Sequence, residues 1–270
     1  MRDLNAFQGM DTRGENMYRM NQLFRMALLL VAALFLPALA GQAAETLDPS
    51  FGEQGVVITD FGIADDEASA LAVQADGKIL LAGFSSNTVL KDIAIARYLS
   101  DGTLDLTFHG TGYLSFNVGD GNALARAIAV QNDGRIVVAG NFDSGANESS
   151  TEIFLVRLTE EGEPDVSFGV DGKLVLPLAG QIGSAFDLQI SAEGDILVAG
   201  TVGAVDGSQA MVARITPQGV LDPSFAESGI AIVSREYETA AHSLALLADN
   251  SILLAGYSKP GEVAGLSFFR

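Results

Sequence analysis

The stretch Gln74-Ala75-Asp76-Gly77-Lys78-Ile79-Leu80-Leu81-Ala82-Gly83, QADGKILLAG, is written three more times in variant form. QNDGRIVVAG begins at Gln131, SAEGDILVAG at Ser191 and LADNSILLAG at Leu247. An Asp-Gly pair between two apolar runs marks a two-residue hairpin, because both central positions need positive φ. Asp76-Gly77 and Asp133-Gly134 supply it, and Glu193-Gly194 and Asp249-Asn250 are weaker versions. The run that follows, Ile79 to Gly83, does not alternate apolar with polar. A strand of that kind has both faces covered by other sheets. The glycine that ends it allows a neighbour to come close.

Working outward, two further markers keep the same beat. A lone arginine recurs at 97, 157, 214 and 270, and a box D-x-x-F-x-x-x-G begins at Asp48, Asp105, Asp165 and Asp222. The steps are 57, 60 or 56 residues. The longer step has a local cause, the loop DSGANESSTE at 143–152, which makes the second repeat three residues longer there. Each repeat reads as four short strands, which in the first are VVITDF, ASALAVQ, KILLAGF and DIAIARYL. Ile, Val, Leu and Phe fill them and Gly, Asp, Asn and Ser punctuate them. After residue 40 no segment holds a helical period.

Antiparallel four-stranded units that repeat head to tail, each apolar on both faces, must stack to hide those faces. The chain is therefore expected to be all-β, a β-propeller of four four-stranded antiparallel blades. The repeats fall at about 47–103, 104–163, 164–220 and 221–270. The alternative is an open or truncated part of a larger propeller.

These residues resemble the delta-60 repeat, a bacterial repeat regarded as a propeller blade. The resemblance rests on DGKILLAG, on the ARYL strand and on DGTLDLTF with its downstream glycine, and it covers about residues 47–270. It implies the propeller fold and an exported context, and it brings no assigned catalytic residues. Departures are Pro164 at the leucine of the box, His109 and Ala226 at its glycine, and the missing Asp-Gly turn of the last repeat.

Residues 1–40 read differently. Arg19 and Arg25 precede the apolar run Met26–Ala40, which ends in Ala38-Leu39-Ala40. Basic start, apolar middle and small-residue exit make a secretory signal, with cleavage expected after Ala40 and a short linker at 41–46. No later stretch approaches the roughly 18 apolar residues a membrane span needs. A periplasmic or secreted location follows as the expectation. The whole chain carries a net charge of −19. Loss of residues 1–40 leaves 31 acids against 11 Lys and Arg, a net of −20. Such a surface repels nucleic acid. There is no cysteine, so disulfides and thiolate chemistry are excluded.

An arginine inside an apolar strand needs acceptors. An aspartate follows eight positions later in Arg97 to Asp105, Arg157 to Asp165 and Arg214 to Asp222. Charge-assisted pairs are expected there. Arg270 and Asp48 are left over at the two ends and are expected to meet by closing a ring. Phe51, Phe108, Phe168 and Phe225 are expected to fill the gaps between blades.

Strand directions alternate, so the hairpins and boxes share one face and the remaining loops share the other. Those other loops vary between repeats: GIADDEA, VGDGNAL, AGQIGSA and REYETA in one set, SSNTVLKD, DSGANESSTE, GAVDGSQA and SKPGEVAG in the second. Variable loops on a rigid frame are where recognition resides. The expected function is an exported binding or scaffold propeller for a protein or glycan, acting through that face. The alternative is a propeller hydrolase or lyase with its site at the central channel. No elbow, zinc-helix or phosphate-loop motif is present, and the histidines are only His109 and His242. The sequence thus assigns no catalytic residue, no metal ligand and no cofactor. Asp65-Asp66-Glu67 is the one candidate calcium contact, although it lacks the spacing of a helix-loop-helix calcium site.

Overall fold

The computed structural model describes residues 47–62, 65–87, 89–143, 151–203, 207–260 and 265–269. The signal segment 1–40, the linker 41–46 and Arg270 lie outside these. Among the described residues no helix is long and apolar enough to cross a membrane.

Four antiparallel sheets follow one another along the chain. The first is β1 (Asp66–Val73), β2 (Ile79–Ser86), β3 (Lys91–Tyr98) and β4 (Tyr113–Phe116). The second is β5 (Ala123–Val130), β6 (Ile136–Asp143), β7 (Thr151–Leu158) and β8 (Lys173–Val175). The third is β9 (Ile182–Ile190), β10 (Ile196–Gly203), β11 (Gln209–Ile215) and β12 (Ile230–Val233). The fourth has three described strands, β13 (Glu238–Leu246), β14 (Ile252–Lys259) and β15 (Gly265–Phe269). In each sheet the strands lie in chain order, joined by hairpins. The tight turns differ from the two-residue form expected: positive φ falls only on their last residue, Gly77, Gly134, Gly194 or Asn250. The Gln74 N–H donates to the Lys78 carbonyl and the Gly77 N–H to the Gln74 carbonyl, so each is a three-residue loop closed by one left-handed residue.

One assignment differs from the sequence reading. Tyr113–Phe116, which falls within the second repeat as bounded at about 104–163, is the outermost strand of the first blade, with Ile95 opposite Leu114. Lys173–Val175 and Ile230–Val233 likewise complete the blades before them. The box is thus the connection between the third and fourth strands of one blade. VVITDF, the first of these segments, joins no sheet. A strand needs a partner ladder, and its equivalents all take the third strand of a preceding blade. Instead it lies by its own blade, where the Tyr98 hydroxyl donates to Thr59 Oγ1 at 2.6 Å.

The first strands β1, β5, β9 and β13 pack on one another in succession and form the inner rank of the array. Alternate residues of the second strands point to opposite neighbours. Leu80 and Ala82 share a core with Ile136 and Val138, and Val137 and Ala139 share the next core with Ile196 and Val198. Leu197 and Ala199 meet Leu244 and Leu254 in a third. Phe108 and Phe168 are fully buried in the first two of these cores. Each such ring contributes about 1.5–3 kcal/mol by leaving water.

The flank of the first blade is different. Leu71 and Val73 are 64% and 62% exposed, while Ile128, the equivalent of Leu71, is 8% exposed. Among the described residues, extensive packing joins each blade to the next in sequence and none joins β13, β14 or β15 to β1.

Candidate functional site

The hairpin and box face is consumed by structure. Arg97 Nε donates to Asp105 Oδ2 at 2.8 Å and its Nη2 to Thr107 Oγ1 at 3.1 Å. Its Nη1 reaches the carbonyl of Glu160 in the next blade, and the guanidinium lies 4.8 Å from the Phe108 ring centre. Arg157 repeats the arrangement with Asp165, Ser167, Phe168 and the Pro217 carbonyl. Each of these arginines therefore ties its own box to the following blade. Arg214 is looser, with Nη1 3.5 Å from Asp222 Oδ2. The backbone adds to the clamp. The N–H groups of Arg97, Arg157 and Arg214 donate to Gly112, Gly172 and Gly229, each at 2.9 Å. Burial alone would raise the Asp165 pKa, but the Ser167 hydroxyl and N–H and the charges of Arg157 and Arg135 outweigh it and hold it below the usual range. Asp48 has no such neighbour on the described residues. It is exposed, and its carboxylate accepts from the Ser50 hydroxyl and N–H. Its expected partner Arg270 falls outside the described residues.

The opposite face is built from loops that brace one another with different residues in each blade. Asn122 Oδ1 accepts from the Lys91 N–H, and its Nδ2 donates to Asp143 Oδ2 at 3.0 Å. Asn117 Nδ2 donates to Asp92 Oδ1 and the Gly121 carbonyl. In the third blade Gln209 exchanges hydrogen bonds with the Arg235 backbone. Most of DSGANESSTE and part of GAVDGSQA lie outside the described residues.

Between the faces, every inner strand carries a β-bulge at the same place. The register skips Ser69 in β1, Arg126 in β5, Phe186 in β9 and His242 in β13. The glycine of the repeated Ala-Gly is what makes room. A Cβ on Gly83, Gly140, Gly200 or Gly256 would lie within 2.1 Å of the carbonyl oxygen two residues before the bulge. So the glycine of QADGKILLAG serves the strand beside it. A bulge re-aims a side chain, and such sites often border functional sites. Here the re-aimed residue differs in every blade: Ser, Arg, Phe and His.

Two of these four side chains meet. The rings of Phe186 and His242 have centres 4.5 Å apart, and Tyr257 follows at 5.8 Å from His242. Partial burial lowers the His242 pKa from its ordinary value, so the imidazole is largely neutral at pH 7. Tyr257 donates to Glu238 Oε1, and its pKa is pushed up to about 12 by burial and by that carboxylate. Sequence reasoning missed this group. The readable signal was the second position of ASALAVQ, ARAIAVQ, AFDLQIS and AHSLALL, which holds a different residue type in each.

The remaining candidates lie apart from this group, and Asp66 keeps its Oδ1 buried without a hydrogen-bond partner. Asp66 Oδ2 accepts from the Phe61 N–H at 2.8 Å, and His109 Nδ1 lies 3.0 Å from Glu163 on the exposed box. Among the described residues no group of three or more His, Asp or Glu gathers as a metal site would require.

Residues 74–108, 131–168 and 193–225 match the family model described as "Domain of unknown function (DUF5122) beta-propeller". The chain is built of β-propeller repeats. In this propeller each matched segment ends on a box phenylalanine, Phe108, Phe168 or Phe225. No curated protein sequence matches it. Solved structures similar to the propeller include an endo-arabinase from Bacteroides thetaiotaomicron, 10% identical, with a TM-score of 0.45 over 73% of this chain and 72% of that one. An alpha-L-arabinofuranosidase from Clostridium thermocellum is 12% identical, with a TM-score of 0.39 over 74% and 67%. Drosophila Semaphorin 1b is 9% identical, with a TM-score of 0.36 over 74% and 55%.

Proposed function

We propose that this propeller, of the delta-60 type, is an exported binding module that takes a protein or glycan on its variable-loop face, in the periplasm or outside the cell. The observation that carries the reading is the division between its two faces. On one, the same arginine, aspartate and phenylalanine clamp recurs, with Arg97 and Arg157 fully engaged and Arg214 held more loosely. On the other, each blade presents different loops, and the bulged inner strands begin beside them. A rigid frame under unlike loops is the arrangement that recognition requires.

The test is capture from envelope fractions by the immobilised protein, against a variant in which DSGANESSTE is replaced by a short linker. Altered capture with an unchanged melting temperature is the expected result. Loss of folding in the variant, or identical capture by both proteins, overturns the reading.

A further inference from the structure

We propose that residues 56–61 are the docking edge for a second copy of this chain, which lays its β15 alongside them so that copies join head to tail.

Three observations meet at this edge. The first is a strand without a ladder. Among the described residues no backbone N–H or carbonyl from Val57 to Asp60 takes part in a backbone hydrogen bond. The side chains nevertheless alternate as a strand's do. Val57, Thr59 and Phe61 are half-buried, while Val56, Ile58 and Asp60 are exposed, Ile58 by 89%. The three inward residues stand at the positions of Leu114, Phe116 and Val118, which pack into the core between the first two blades. Leu174, Leu176 and Leu178 do the same one blade later. Segment 56–61 thus already holds the seat that an outer strand takes against the blade after it. It lacks only the blade before it.

The second observation is the other half of that pair. The outer strands β4, β8 and β12 lie on β3, β7 and β11, whereas β15 pairs with β14 alone among the described residues. The register of the other blades carries over and sets Ile58 opposite Ser267, as Ser115 lies opposite Ala94 and Ile232 opposite Met211. The third is the orphaned acceptor Asp66 Oδ1. Thr239 is the counterpart of Asp66 in the fourth blade. Its hydroxyl accepts from the Ala210 N–H, on the third strand of the preceding blade, at 2.8 Å. On a docked β15 the matching donor is the Leu266 N–H.

The occupant is a second copy because the chain's own β15 does not come round to this edge. Three successive junctions leave the fourth blade without extensive packing on the first, so each junction turns by less than a quarter circle. Leu71 and Val73 stand bare where their counterpart Ile128 is enclosed. A blade from another molecule continues the same step and covers them. An edge strand with free backbone groups is a template for such pairing. Contact between unlike surfaces joins copies head to tail. Two copies of four sheets bring eight blades, the upper end of the usual range of roughly four to eight. Like charge opposes the approach, so salt favours it.

The test is disulfide trapping, which the absence of native cysteine makes clean. Ile58→Cys and Ser267→Cys proteins are mixed and oxidised in about 0.5 M salt, where screening falls below about 10 Å. Linked pairs are expected in the mixture and not in either protein alone. The double variant is expected to link into pairs or longer chains. A double variant linked only to itself would mean that the ring closes within one molecule, and it overturns the docking of a second copy. Light scattering of the unmodified protein in the same salt should give at least twice the mass of one chain. Leu71→Asp puts a charge into the junction and should return the mass to one chain while circular dichroism stays unchanged. If Leu71→Asp fails to fold, the trapping decides alone. No linked pairs in the mixture, or a single-chain mass for the unmodified protein, overturns the proposal.

Discussion

Asp165 Oδ2 is shared by two arginines, with Arg157 Nε and Arg135 Nε each at 2.8 Å. The first blade has a weaker form, in which Lys78 stands 3.5 Å from Asp105 beside Arg97. In the third blade the equivalent of Arg135 is Asp195, so two acids compete for Arg214, which lies 3.9 Å from Asp195 and 3.5 Å from Asp222. The clamp is therefore graded along the chain.

That gradient predicts unequal losses. Arg157→Met leaves a buried carboxylate with only its half-exposed partner and should cost about 3 kcal/mol, the low end for breaking a buried pair. Arg214→Met removes a looser, part-exposed contact and should cost about 1 kcal/mol. Urea melts of both, beside an exposed Lys173→Met control, check this. Equal losses at the two arginines would contradict the gradient.

The bulge predicts a steric cost at a glycine of ordinary φ. A methyl group on Gly140 would meet the Leu124 carbonyl at 2.1 Å and the Phe154 ring at 2.7 Å. Gly140→Ala should therefore destabilise by about 3 kcal/mol, the upper range for overpacking. Gly62→Ala, with nothing within 4 Å, serves as the control and should be near neutral. The same melts read both.

Much of the fold was legible because its signals are local. Asp-Gly turns, unbroken apolar runs and the steps of 57, 60 or 56 residues are set by neighbours in sequence, and they lead to stacked antiparallel units. The blade to which Tyr113–Phe116 belongs was not legible. Its pattern says strand, but either of two ladders would satisfy it, and only the close of the box selects β3. The bulge was hidden for a related reason, since one unpaired residue leaves a strand's composition unchanged. The Phe186 and His242 contact joins residues 56 positions apart, and no local pattern announces it.

Acid should weaken the fold in two stages. Folded His242 has a lowered pKa, so the unfolded chain binds its proton more readily, and stability is lost as pH falls below about 6.5. Asp105, Asp165 and Asp222 are also lowered, so their contribution is complete above their unfolded values and is lost below about pH 4. Urea melts between about pH 7.5 and 3 should show both steps, and His242→Phe should erase the first alone. A first step that persists in His242→Phe would assign it elsewhere.

The two sides of the array predict opposite tolerance. Leu71→Asp lies on the exposed flank of β1 and should change stability by no more than about 0.5 kcal/mol. Ile128→Asp, at the equivalent place in β5, puts an unpaired charge in a closed core and should prevent folding. Circular dichroism of the two variants distinguishes them. Equal damage would mean that the β1 flank is covered in solution.

That uncovered flank has a colloidal consequence. Chains with a formal charge of −19 repel one another in dilute buffer, which keeps greasy edges apart. The repulsion reaches about 10 Å at 0.1 M salt and about 3 Å at 1 M. Ionic strength therefore governs how close two such edges come, and salt-driven turbidity that begins at Leu71 and Val73 is the behaviour this geometry entails.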